Sequence, residues 1–104
     1  MNQLSKIEMA KLVITEDVKS KVTKMLCSFY GATDVQYCDL TYGIGINISG
    51  SSSFRFIKSA IVKVLNVTED TIGVLGESDK NLTASYVYLP EKDKNLQRKL
   101  KKNK

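Results

Sequence analysis

From position 38 to 48 the even-numbered residues read Cys, Leu, Tyr, Ile, Ile, Ile, while 39 to 49 read Asp, Thr, Gly, Gly, Asn, Ser at the odd positions. A period of two is the signature of a strand with one apolar face. A single strand over 34–49 would exceed the usual 3–10 residues, so two strands are expected, about 34–40 and 43–49, with Gly43 supplying a positive φ for the turn. After Ser53 the period changes: Phe54, Ile57, Ile61, Val64 and Leu65 fall at helical spacing and predict a helix over about 53–66 laid against the sheet. Upstream, Thr15-Glu16-Asp17 reads as an N-cap with acids in the first turn. Val18, Val22, Met25, Leu26 and Phe29 then form a helical stripe over about 16–30 that ends at Gly31.

The flanks are less regular. IEMAKLVI at 7–14 is short and apolar without a clean period, and a first strand is expected there, with the lead-in to the helix as the alternative. Thr68-Glu69-Asp70 opens a strand at about 70–76, residues 76–81 form a loop, and 82–89 form a last strand stopped by Pro90. The whole is an α+β two-layer sandwich, two helices on one face of a mostly antiparallel sheet. Its order is ferredoxin-like β-α-β-β-α-β with one added strand, or, if 7–14 is not a strand, tandem α-β-β units over 15–49 and 51–90.

Charge divides the chain. Residues 1–90 hold nine Lys/Arg against nine Asp/Glu, so the net +5 belongs wholly to 91–104, where Lys92, Lys94, Arg98, Lys99, Lys101, Lys102 and Lys104 face only Glu91 and Asp93. We therefore expect a single domain at 1–90 and a basic C-terminal tail at 91–104. With Leu96 and Leu100 as its apolar anchors, the tail is expected as a frayed helix or disordered chain, and its deletion should cost within about 1 kcal/mol.

Composition is ordinary for a globular domain, and no window approaches the roughly 20 apolar residues of a membrane span. The first residues include Glu8 and no long apolar run, so no signal peptide is read and a cytoplasmic setting is expected. Cys27 and Cys38 are then expected free and largely buried, as small apolar residues. With no His and no CxxC in the chain, no metal site and no cofactor is expected.

The Ser49–Ser53 turn, between strand and helix, is an anion or phosphate candidate: Ser51, Ser52 and Ser53 with Arg55 and Lys58 nearby, at the positive end of a helix. The plainer reading is an N-cap and a loop, since neither GxxxxGK[ST] nor GxGxxG spacing is present. Gly43-Ile44-Gly45-Ile46 resembles, over four residues, the glycine–aromatic signature on the third strand of RNA-recognition motifs. That signature needs a basic residue before the first glycine and rings at alternate positions. Here Tyr42 precedes it and isoleucines replace the rings, so both isoleucines read as core and membership is not assigned. Tyr86 and Tyr88 share one face of the last strand. They form an exposed aromatic pair if Val87 and Leu89 are the core side, and nothing functional if they are core themselves.

A nucleophile without a histidine base makes catalysis unexpected. A Ser53–Lys58 dyad has no supporting motif, and the chain reads as non-enzymatic. Two function classes remain. One is a protein-binding module, an adaptor or inhibitor that docks on a larger partner, a nucleic-acid-handling protein being one option, by a sheet face or edge, with self-association through the last strand as a special case. The other is a DNA- or RNA-binding module using the tail with Lys19, Lys21, Lys24, Arg55 and Lys58, and with Tyr86 and Tyr88 if that pair is exposed. The neutral body favours the first, with no membrane partner.

Overall fold

The computed structural model of the chain describes residues 4–50 and 54–102, apart from the side chains at 54, 55 and 102. The elements run α1 (Lys6–Val13), α2 (Glu16–Phe29), β1 (Asp34–Leu40), β2 (Gly43–Ser49), α3 (Phe54–Leu65), a 3-10 turn at Glu69–Thr71, β3 (Ile72–Ser78), β4 (Thr83–Tyr88), a 3-10 turn at Pro90–Lys92, and α4 (Lys94–Lys102). Four strands form one antiparallel sheet in the order β1-β2-β4-β3. It is a small α+β domain with two α-β-β units in tandem.

Residues 7–14 are helix, not strand, so the ferredoxin-like order loses its first member. The cause is local: Ser5 Oγ accepts from Glu8 N and Glu8 Oε1 accepts from Ser5 N, a reciprocal capping box. Ala10 and Ile14, one helical turn apart, are both buried in the core. Lys11 reaches Asp39 on β1 at 3.2 Å. In α2, Thr15 Oγ1 accepts from Val18 N as the cap, and Val22 and Leu26 are the buried positions. Phe29, expected on the same stripe, is 80% exposed. It is the last residue of α2, beyond Leu26, and nothing in the core stands opposite it.

Register explains the core. Ile44, Ile46 and Ile48 of β2 lie across from Tyr88, Tyr86 and Ala84 of β4, and all six are buried. Ile72 pairs with Tyr88 from the other side. Ile57, Ile61 and Leu65 of α3 close this face together with α1 and α2. Tyr37 on β1 is tied to α2, its hydroxyl donating to Lys19 O at 2.9 Å and lying 2.9 Å from Thr23 Oγ1.

The sheet's opposite face carries Cys38, Gly45, Asn47 and Ser85. Ser85 Oγ donates to Asn47 Oδ1 at 2.7 Å. Cys38 is exposed there, and Cys27 is exposed on the outer side of α2. Both thiols are free as expected but neither is buried, because each sits on the side of its element turned from the core. Gly43 also has another role than foreseen. Positive φ among the described glycines occurs at Gly31 and Gly50, not at Gly43. What Gly43 provides is clearance, since a Cβ there would run into the Tyr88 carbonyl oxygen.

Strand β4 is interior, paired on both sides, so it offers no edge for self-association. The edges are β1 and β3. In β3 the register shifts between Val74 and Gly76, a bulge that leaves Leu75 unpaired and half exposed.

Candidate functional site

Tyr86 and Tyr88 are fully buried, which removes them as a surface platform. They belong to the core because their strand is interior and its Ala84-Tyr86-Tyr88 face is the one under the helices. Each hydroxyl is spent on a carboxylate. Tyr86 donates to Glu77 Oε2 at 2.7 Å and Tyr88 donates to Asp93 Oδ2 at 2.6 Å. Burial first, and then the facing carboxylate, pushes both phenols far above their ordinary value.

The second of these pairs builds a site at the Tyr88 end of the sheet. Asp93 is buried, and its other oxygen, Oδ1, accepts from Leu96 N at 3.2 Å. One carboxylate thus caps α4 and fastens it to β4. Gln97 Nε2 donates to Pro90 O at 2.9 Å, and Lys6 pairs with Glu91 at 3.0 Å. With α4 seated in this way, Leu96 is 5% exposed.

Three helix ends meet there. The last residues of α1 contribute Leu12 and Val13. Helix α3 ends at Leu65, closed by Asn66 at φ 57 and by Val67 N donating to Val62 O, a left-handed helix stop. Between these ends and α4 lies an open cleft of about 700 Å³. Its apolar lining is Leu12, Val13, Leu65, Val67, Leu96 and Leu100, and Arg98, Lys99, Asn66, Asn95 and Asp93 supply the polar positions. Leu12 is 55% exposed at the rim. Among the described residues no ion pair engages Arg98 or Lys99.

Of the site residues singled out from sequence, Arg98 and Lys99 line the cleft, and the other described ones fall elsewhere. Ser51, Ser52 and Ser53 lie outside the described residues. Arg55 is within the helical span of α3 but its side chain is outside them too, and Lys58 is half-buried on α3. Lys58 is not among the residues that line the cleft. Of the tail residues, Lys92 is exposed in the 3-10 turn, and Lys94, Arg98, Lys99 and Lys101 are exposed on α4. Lys102 is in the helix with its side chain outside the described residues, and Lys104 lies beyond them. Lys19 on α2 pairs with Glu16 at 3.0 Å and stands 5.6 Å from the Tyr37 ring centre. Among the described residues no three His, Cys, Asp or Glu side chains cluster as a metal site would need. No described helix is long and apolar enough to cross a membrane.

Sequence reasoning missed Asp93 and the cleft. One signal was available for the first: Asp93 stands three residues before Leu96, the position of an N-cap. The cleft had no comparable signal, because α1, α3 and α4 are brought together only by the fold. Comparison with protein-family models, curated proteins and solved structures finds no match for this chain.

Proposed function

We propose that this chain is a small non-enzymatic protein-binding module, an adaptor or inhibitor, which holds its partner in the cleft between α1, the end of α3 and α4. The observation that supports this reading is the lining: six aliphatic side chains in one open cleft, with Leu12 held out at its rim. Aliphatic surface of this kind gains by being covered and gives an apolar partner its contact area. It presents no ring on which a base could stack. A reducing compartment such as the cytoplasm suits two exposed free thiols.

A second reading, nucleic-acid binding, draws on α4. Lys94, Arg98 and Lys101 recur at the spacing of one helical face and are exposed. The two readings separate in affinity capture from cells that make the protein, run with and without nuclease, comparing the natural chain with Leu12→Glu. Protein binding through the cleft predicts a captured polypeptide that survives nuclease and is lost with Leu12→Glu. Capture that nuclease abolishes and Leu12→Glu leaves intact would transfer the function to the cations of α4.

A further inference from the structure

We infer that the partner segment taken by the cleft is an acidic amphipathic helix; this rests on the protein-binding reading and names its ligand. Charge is the first reason. Arg98 and Lys99 line the cleft, with Lys94 and Lys101 on the same helix. The cleft's one described carboxylate, Asp93, has its oxygens engaged by the Tyr88 hydroxyl and the Leu96 amide. The charge left to meet a ligand is positive, so an approaching segment with Asp or Glu beside its apolar stripe is steered in, and a basic one is repelled.

Backbone chemistry is the second reason. An extended peptide needs a strand edge to receive its N–H and C=O groups. The sheet's edges are β1 and β3, whereas the cleft is walled by α1, the end of α3 and α4. A helix satisfies its own backbone and presents only side chains, as these walls require. A volume of about 700 Å³ is within the range of roughly 300–1,000 Å³ common to ligand clefts. It suits apolar anchors at i, i+3, i+4 and i+7, about two helical turns.

Charge also argues against a second copy seated by its own α4, since KNLQRKLKK would bring like charge against Arg98 and Lys99. Against a nucleic acid stands the aliphatic lining. A membrane surface is disfavoured because Leu65 and Leu96 are recessed at 8% and 5% exposure.

The inference is tested on the full chain with three synthetic helical peptides that share one Leu/Ile stripe at i, i+3, i+4, i+7 and carry Glu, Gln or Lys on the flanks. Binding is followed by titration calorimetry at low and high salt. We expect the acidic peptide to bind at least 10-fold more tightly than the neutral one, with an affinity that falls as salt rises, and the basic peptide to bind least. Arg98→Glu with Lys99→Glu should reverse the order, so that the basic peptide binds best. Circular dichroism of that variant confirms that it is folded, and a reversed preference is itself a gain that misfolding cannot produce.

Equal binding of the acidic and neutral peptides overturns the inference while leaving the protein-binding reading intact. No peptide binding, together with binding of a 20-nucleotide single strand or of phosphatidylserine vesicles that the double charge swap removes, overturns both. Silence from every probe overturns the inference.

Discussion

Removal of residues 91–104 should destabilise the domain by about 3 kcal/mol, well above the 1 kcal/mol expected from a tail with two apolar anchors. Two losses add up. Leu96 is 5% exposed, and returning a buried leucine to water costs about 1.5–3 kcal/mol. Tyr88 loses the Asp93 carboxylate that takes its hydroxyl at 2.6 Å, and a buried polar group left unpaired costs about 1–3 kcal/mol. Water entering where α4 stood hydrates part of that hydroxyl, which sets the sum near the lower end. The exposed Lys6–Glu91 pair adds little. For a domain of this size about 3 kcal/mol lowers Tm by roughly 12–24 °C. Urea unfolding followed by far-UV circular dichroism measures it on the natural chain and on a chain ending at Pro90. Tyr88→Phe in the full chain serves as a companion, because it strands the Asp93 carboxylate without removing Leu96 and should cost about 1–3 kcal/mol. A truncation that shifts stability by less than 1 kcal/mol would refute the role given to Asp93 and Leu96.

Gly43→Ala drives a methyl into the Tyr88 carbonyl oxygen and should cost about 1–3 kcal/mol, whereas Gly76→Ala meets open space and should be neutral or stabilise by up to about 1 kcal/mol; urea midpoints of the two variants check the contrast. Burial raises the Tyr37, Tyr86 and Tyr88 phenols in the fold, so the unfolded chain gives up these protons first. The stability they confer is therefore complete below about pH 10 and drains away as pH rises past it, and urea midpoints that stay flat from pH 9 to 11 would contradict this. Cys27 and Cys38, both exposed, should react with Ellman's reagent as readily in the folded protein as in denaturant. Phe29→Ser should change stability by no more than about 0.5 kcal/mol, read from the thermal midpoint, because the ring is 80% exposed.

In β2 the alternation could be read directly, since Ile44, Ile46 and Ile48 face the core, and β1 and β2 lie at the expected bounds. In β1 it indicated the wrong face, because the hairpin puts Cys38 opposite Gly45 on the outer side and turns Tyr37 toward α2. The last strand could not be read that way. From Tyr86 to Leu89 it is apolar on both sides, and only its place between β2 and β3 buries Tyr86, Val87 and Tyr88 together. Residues 7–14 lacked a period because α1 is a short helix with apolar residues around most of its circumference. Its capping box, Ser5 and Glu8, was nonetheless legible, and Glu8 to Leu12 are all good helix formers. Phe29 shows a different limit. Helical spacing says which way a side chain points but not whether another element extends far enough to cover it. The cleft was illegible for the same reason, since Leu12, Leu65 and Leu96 become neighbours only through the order of the sheet and the Tyr88–Asp93 bond.

The central claim is that the cleft, and neither the α2 terminus nor the β3 edge, meets a protein partner. A photo-crosslinking amino acid placed in turn at Leu12, Phe29 and Val74, all exposed positions, addresses it directly in the cells that make the protein. The account predicts a discrete adduct from position 12 that protease destroys and nuclease does not, with positions 29 and 74 giving little. An adduct at position 12 that nuclease removes, or strong protein adducts from position 29 or 74 with none from 12, would contradict it.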